Sequence, residues 1–364
     1  MRILVISNMY PSPSSPAFGI FVKNQVEGLQ AEGMDLTVAA IRDPRTEKWN
    51  VLKKYLRWVT HSLLRFTRNY DLVHAHYAFP SGWLARLHYR IRKVPYIVTV
   101  HGGDLNKMAQ KGSFFKKQTK RILEDAAHVI TVGPDLYKEV TSKYNIPEER
   151  VSLLNMGVDR SIFYPRINER NPFQTNRQQK HLLFVGNLIK EKGIEELLSA
   201  VARMYYDGQN VRLHLVGAPK SNDYEQKLHE FVQTLGLEEC VQFHGPKSQD
   251  DVARYMTYAD LFILPSHIEG FGLVALESMA CGTPVVASRT GGLPFLLSGG
   301  AGTLAEPQNI DSLTSAIDEV LSNSEVQKCQ INAGFGKAES FDARSIIQEV
   351  VNLYHRAVEE KSTQ

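Results

Sequence analysis

Glu269 and Glu277, eight positions apart with Gly270-Phe271-Gly272 between them, are the residues best placed to do chemistry on a phosphorylated ligand. Asp260-Leu-Phe-Ile-Leu-Pro-Ser266 before them reads as a short buried strand stopped by proline, and Pro284-Val-Val-Ala287 after them as another. The Gly-Phe-Gly segment is therefore the turn from strand into helix, with Leu273 to Met279 as the first helical turns. The leading amides of such a helix have no intrahelical partner and carry partial positive charge, so they form an anion site. Glycine at 270 and 272 lets that backbone approach a ligand closely. One acid stands just before the cradle and the other about two turns into the helix. That spacing suits a ligand with hydroxyls at both ends and a phosphate bridge in the middle, as in a nucleotide-sugar. The glutamate pair alone is equally compatible with an ordinary strand-helix turn bearing surface acids.

A second group follows another predicted strand, in Val185-Gly-Asn-Leu-Ile-Lys-Glu-Lys-Gly193. Lys190 and Lys192 there can neutralise charge on a departing phosphate, although lysines after a strand are ordinarily just solvated. Gly217-Ala-Pro219 and His244-Gly-Pro246 end two further strands and are expected to wall a nucleotide base. No Asp-x-Asp occurs in the chain, so cations and helix amides, and no metal, are expected to meet the phosphate charge. In the first half, His74 and His76 flank Ala75 on one strand and so share a face. A metal pair is conceivable there, but no acid or cysteine has matching spacing; one histidine is expected to pack and the other, His76, to line an acceptor cleft. His101-Gly-Gly-Asp104 follows a buried strand at the end where α/β proteins place ligands.

These residues are carried by two successive α/β patterns. Arg2–Ser7, Leu36–Ala40, Asp71–His76, Tyr96–His101, Val129–Val132 and Val151–Leu154 read as strands alternating with helical segments, which predicts a doubly wound parallel sheet. A polar, proline-bearing stretch, 166–180, separates this domain (1–165) from a second (181–340) with the same alternation, and 341–364 reads as an amphipathic helix. A chain of 364 residues suits two cores rather than one. Residues 1–175 hold 26 Lys and Arg against 15 acids, while the remainder is acidic, an asymmetry foreign to a single evenly charged domain. Cys240, Cys281 and Cys329 form no CxxC pair, which predicts a reducing compartment. With no signal-peptide pattern and no apolar run near the roughly 20 residues that span a bilayer, a cytoplasmic location is expected.

The stretch from Pro265-Ser266 through Glu269, Gly-Phe-Gly and Glu277 to Ala280-Cys-Gly-Thr-Pro-Val-Val286 resembles the signature of retaining glycosyltransferases of family 4. The resemblance covers nearly the whole chain and implies the GT-B fold, two Rossmann-like domains facing a cleft. It places Glu277 on the nucleotide ribose, Glu269 toward the donor sugar, and the amides of Phe271, Gly272 and Leu273 on sugar and diphosphate. Lys192 matches the family's diphosphate lysine. Asn187 stands where arginine is more common, leaving Lys190 as a substitute cation. The same resemblance puts His101 near the reacting carbon, Asp104 on the acceptor side, and Gly19 at the flexible glycine that approaches donor phosphate and acceptor. Asn155-Met-Gly-Val-Asp159 departs by one residue from the usual Asn-Gly-Val-Asp, and no role is carried onto it. The Gly19-Ile-Phe-Val22 and Val100-His-Gly-Gly-Asp104 patterns look nearest to bacterial surface-polysaccharide enzymes of the teichuronic-acid type.

The expected reaction is hexosyl transfer from a nucleoside diphosphate to a glycan or lipid-linked acceptor. A nucleotide-sugar epimerase on the same fold would instead leave its product on the nucleotide. A dinucleotide oxidoreductase would need Gly-x-Gly-x-x-Gly after an opening strand, where this chain reads Ser7-Asn-Met-Tyr-Pro and Gly186-Asn-Leu-Ile-Lys. A non-catalytic binding protein would bind donor without turnover. Residues 50–69, with five basic residues, no acid, and Trp58 and Phe66 at helical spacing, and residues 107–121, basic around Phe114-Phe115, are read as a surface for anionic lipid. The plain alternative is two solvated helices packed on the sheet. No nucleic-acid module accompanies the charge.

Overall fold

The structure, a computed structural model, describes residues 1–362 apart from 14, 16, 17, 46, 47, 106–111 and 174–178, with only the backbone at 48, 222, 361 and 362. Lys107, Lys111, part of the Pro-Ser-rich loop and the middle of the 166–180 stretch lie outside the described residues.

The chain divides into two compact units, Met1–Met156 with Ala343–Gln364, and Gly157–Asp342. The passage between units falls before the 166–180 stretch, because Val158 and Phe163 are already buried in the second core. Residues 157–165, expected with the first domain, therefore belong to the second.

In the first unit the elements run β1 (Arg2–Ser7), α1 (Ile20–Ala31), β2 (Asp35–Ala40), α2 (Lys48–Arg65), β3 (Leu72–His76), α3 (Ser81–Arg92), β4 (Tyr96–Val100), α4 (Ser113–Asp125), β5 (His128–Thr131), α5 (Pro134–Lys138) and β6 (Val151–Leu153). Its described strands form one parallel sheet ordered β2-β1-β3-β4-β5-β6. Alternate residues of β1 divide between two cores, as the twofold side-chain period requires. Ile3 and Val5 join Val22, Val26 and Leu29 of α1 together with Val350, Val351 and Tyr354 of the C-terminal helix. Leu4 and Ile6 join Trp58 and Phe66 with Leu84, Ile122 and Leu123 of α3 and α4.

The second unit continues β7 (Lys180–Val185), α6 (Ile194–Tyr206), β8 (Val211–Val216), α7 (Asn222–Thr234), β9 (Val241–Gly245), α8 (Gln249–Tyr258), β10 (Leu261–Leu264), α9 (Leu273–Ala280), β11 (Val285–Ser288), α10 (Leu293–Leu296), β12 (Thr303–Ala305), α11 (Ile310–Ser322) and α12 (Ser324–Ser340). The chain then returns to the first unit as α13 (Ala343–Ser362). The second sheet is parallel and ordered β12-β11-β10-β7-β8-β9. Both sheets reverse direction of growth once, at β1/β3 and at β7/β10. In open parallel sheets that switch point leaves a crevice beyond the strand C-termini, because successive connections turn to opposite sides.

Candidate active site

In the second unit, the loops after β7 and β10 flank the switch point, and they carry the two groups singled out by sequence. Lys190–Lys192 is a single 3-10 turn. The Lys192 Nζ stands 2.6 Å from Glu269 Oε2, a half-buried ion pair that joins the two loops. Glu269 Oε1 accepts from the Gly270 amide at 3.1 Å. The loops are also tied by backbone, His267 N donating to Glu191 O at 2.9 Å, while the His267 ring meets Glu196 Oε1 at 2.9 Å. Asn187 and Lys190 are exposed in this loop. Gly217 lies beside it, where Leu188 N donates to Ala218 O at 2.9 Å. His244, expected near a base, is half-buried and joins a relay: His181 Nδ1 to His214 Nε2 at 3.0 Å, His214 Nδ1 to His244 Nε2 at 2.9 Å, and His244 Nδ1 to the Tyr255 hydroxyl at 3.0 Å.

Gly272 caps α9 at φ 92°, a left-handed conformation that a side chain would strain, and a Cβ there would fall 2.5 Å from Leu293 Cδ2. The amides of Gly272, Leu273 and Val274 have no backbone acceptor among the described residues, while Gly270 O is held by Gly292 N at 3.0 Å. Phe271 contributes backbone only, because its ring is buried and packs edge-on against Phe341, 5.3 Å between centroids. On the next turns of α9, burial raises the Glu277 carboxyl from its ordinary 4.5 to about 8. None of the described hydrogen bonds or ion pairs engages that carboxyl. A half-buried carboxyl without a protein donor is fitted to receive hydroxyl donors from a ligand.

In the first unit, Gly19 caps α1 at φ 74°, and a Cβ on it would lie 2.8 Å from the Met9 carbonyl carbon. The glycine thus holds the start of α1 against the loop leaving β1. His101 follows β4. Its Nε2 meets His76 Nδ1 at 3.2 Å, and its ring lies 4.9 Å from Phe21 and 4.6 Å from Tyr77. Burial pushes His101 down to about 3, with His74 adding to the effect, so its ring is neutral near pH 7.

Two acceptor-side expectations change here. His76 is 1% exposed and spends Nδ1 on His101, so it orients that ring rather than lining a cleft. Asp104 is equally buried and serves the backbone: Oδ1 accepts from the amides of His101 (3.3 Å), Gly102 (3.0 Å) and Leu105 (3.2 Å), and Oδ2 from Ala78 (2.8 Å). It clamps the loop after β4 onto the loop after β3 and so fixes the backbone that presents His101. His74 meets the Tyr354 hydroxyl at 2.6 Å and Thr99 Oγ1 at 2.8 Å, leaving neither nitrogen for a metal. Among the described residues no group of three His, Cys, Asp or Glu side chains is arranged to hold a metal ion.

Tyr77 was not legible as a site residue. It adopts φ 75°, rare for an aromatic residue, immediately after β3, and its hydroxyl donates to Met9 Sδ at 3.4 Å. Its only sequence signal is its position beside His76.

The Asp104 clamp has a measurable consequence. Asp104→Ala removes the acceptor of four amides and is expected to cost about 2–4 kcal/mol, since buried donors lose their partner. Thermal melting should show the loss. Asp104→Asn should retain more stability yet lower turnover through a misplaced His101, with nucleotide affinity unchanged because the residues assigned to the nucleotide lie in the second unit.

Comparison with known proteins agrees with this arrangement. Residues 165–336 match the model for glycosyl transferases group 1, and residues 19–162 match glycosyltransferase family 4. An uncharacterized glycosyltransferase of Methanocaldococcus jannaschii is 28% identical over 99% of both chains. The D-inositol 3-phosphate glycosyltransferase of Corynebacterium urealyticum is 30% identical, covering 97% of this chain and 95% of that protein. The putative teichuronic acid biosynthesis glycosyltransferase TuaC of Bacillus subtilis is 29% identical over 87% and 88%. Among solved structures, sucrose-phosphate synthase from Thermosynechococcus elongatus superposes with a TM-score of 0.84 at 24% identity, covering 98% of each chain. Anabaena HepE, solved with UDP-glucose, gives 0.74 at 18% identity over the full length of both. Two parallel six-stranded units, a signature spanning the β10–α9 turn and these matches together make the chain a GT-B glycosyltransferase of family 4.

Proposed function

We propose that this glycosyltransferase moves a hexose from a nucleoside diphosphate to a glycan or lipid-linked acceptor, with retention at the anomeric carbon, in cell-surface polysaccharide synthesis at the cytoplasmic face of the membrane. The observation that carries the reading is the arrangement around the β7/β10 switch point. A cation on one loop, open amides at the start of α9 and an unengaged Glu277 carboxyl match the leaving phosphate, the diphosphate bridge and the ribose of one donor. The UDP and UDP-glucose held by HepE, and the pathway in TuaC's name, support the donor class and the acceptor class respectively.

In this reading the bond between the anomeric carbon and the phosphate oxygen breaks, and its electron pair leaves with the diphosphate. Lys192, exchanging Glu269 for phosphate, meets that charge together with the amides of Phe271 to Leu273, and Lys190 supplements it where Asn187 replaces the usual arginine. Gly217 brings backbone close to the donor and Glu269 faces the sugar, while Gly19 and His101 are assigned to the donor by the family resemblance alone. Asp104, the carboxylate next to His101, has both oxygens engaged, so it is not available as a nucleophile. In keeping with the retention that the resemblance implies, the acceptor hydroxyl adds on the face the diphosphate leaves, and its proton passes to a leaving phosphate oxygen. No metal is assigned a part.

A thermal-shift screen across UDP-, GDP- and ADP-sugars identifies the donor, since a ligand of the native state alone raises its stability. With that donor, NMR should show the product keeping the donor's anomeric configuration, and activity should persist in excess EDTA. An inverted product would refute the retaining mechanism, and loss of activity in EDTA would refute metal-free charge neutralisation.

A further inference from the structure

α2 carries two apolar faces, and only one is used by the fold. Trp58 and Phe66 just beyond its end are buried in the core, and the Trp58 indole donates to Ala39 O at 2.9 Å. The opposite face holds Trp49, Leu52, Leu56, Leu63 and Leu64, whose exposure runs from 38% at Leu63 to 76% at Trp49. Trp49, Leu52, Leu56 and Leu63 recur at intervals of three, four and seven, with Leu64 adjoining Leu63, so they form one stripe along a helix of 18 residues, about 27 Å long. Lys53 and Arg57 lie beside the stripe, exposed, and neither side chain takes part in any described hydrogen bond or ion pair. Lys54 is different: its Nζ is held by the carbonyls of Asp43 and Arg45, so it belongs to the fold.

The charge of the whole helical layer points the same way. α2, α3 and α4 cover one face of the first sheet and together contain twelve Lys and Arg against two acids. α1 and α13, which cover the other face, contain four of each. A protein that needed only solubility would not confine its positive charge to one layer and run an apolar stripe through it. A cationic layer with an exposed tryptophan and leucine ridge is complementary to a surface that is anionic above and apolar just beneath, which is a lipid bilayer bearing acidic headgroups.

We propose that the outward face of α2, with Trp49, Leu52, Leu56, Leu63 and Leu64 inserted at headgroup depth and Lys53 and Arg57 on the phosphates, docks the first unit on an anionic membrane. Trp58 and Phe66, which the sequence alone suggested for this role, are excluded by their burial, and Phe115 packs edge-on against Phe79 at 5.3 Å. Docking on this face uses none of the residues assigned to donor or transfer, so its failure would leave the proposed transfer to a soluble acceptor intact.

Co-sedimentation of the full chain with phosphatidylcholine vesicles, with and without phosphatidylglycerol, tests the assignment. Binding should require the anionic lipid and fall as salt is added. Lys53→Glu with Arg57→Glu should weaken it by at least about tenfold. Trp49→Ser with Leu56→Ser should weaken it comparably while leaving the charge in place. Both pairs are solvent-exposed, and unchanged melting temperatures would show that the fold is kept. Arg356→Glu, an equally exposed charge reversal on α13, should bind as the parent does. Recovery of the parent in the supernatant with anionic vesicles would overturn the proposal. So would undiminished binding by either α2 double variant, or an equal loss in Arg356→Glu.

Discussion

Lys192→Ala is expected to lower turnover by about a hundredfold or more while the donor's apparent Michaelis constant changes far less, because the ammonium meets charge that develops as the diphosphate leaves. Its partner in the unliganded chain is Glu269, and the two side chains are 21% and 15% exposed. Breaking the pair should therefore cost about 1–3 kcal/mol, between an exposed and a fully buried pair, and a chain still folded at the assay temperature would exclude unfolding as the cause. Lys192→Arg keeps the charge with a different reach and should recover part of the rate. Steady-state kinetics with saturating acceptor decides the matter. Turnover near that of the parent would remove Lys192 from the leaving-group site.

Glu277→Gln should act in the opposite sense, raising the donor's Michaelis constant steeply with a smaller fall in turnover, since ribose contacts persist from ground to transition state. The carboxyl adds a pH signature. Burial holds it near 8 when the site is empty, so it is largely protonated at pH 7. Hydroxyl donors favour the carboxylate, so donor binding should lower that value and release a proton. Affinity should then rise with pH up to about 8. Calorimetry at pH 7 in buffers of different ionisation enthalpy should detect proton release in the parent and its loss in Glu277→Gln. Stability gives an independent check. The folded chain favours the protonated acid relative to the unfolded chain, so the parent loses stability as pH rises from about 4.5 through 8. The unliganded glutamine variant avoids that loss and should melt above the parent at pH 8. A pH-independent difference in both measurements would contradict the assignment.

Much of this was legible in the chain because it is written in short-range periods. Buried parallel strands are short apolar runs with turn residues at their ends, and β1 to β6, β10 and β11 fall within a residue or two of where those runs place them. The β10–α9 turn is equally local: proline stops the strand, Gly272 allows the left-handed cap, and an apolar run starts the helix. Three elements of the reading needed more than local pattern. α2 has two stripes at helical spacing, and nothing in its own sequence says which one the sheet covers. The unit boundary followed composition, whereas the fold assigned residues 157–165 by the burial of Val158 and Phe163. The family resemblance put Asp104 on the acceptor side, whereas four backbone amides engage its carboxylate.

The sequence by itself therefore determined the two α/β halves, the family signature, the positions of Lys192, Glu269 and Glu277, and the confinement of basic charge to the first half. Only the tertiary structure decided that Lys192 and Glu269, 77 residues apart, form one ion pair, that Asp104 is consumed by four amides, and that His76 supports His101. It likewise turned Trp58 inward and Trp49 outward. The physical reason is common to all of these. Strand and helix propensity depend on neighbours within a few positions, but burial and hydrogen-bond partners depend on strand order. That order, with β7 beside β10 and β3 beside β4, is set by the handedness of crossovers and the packing of whole layers.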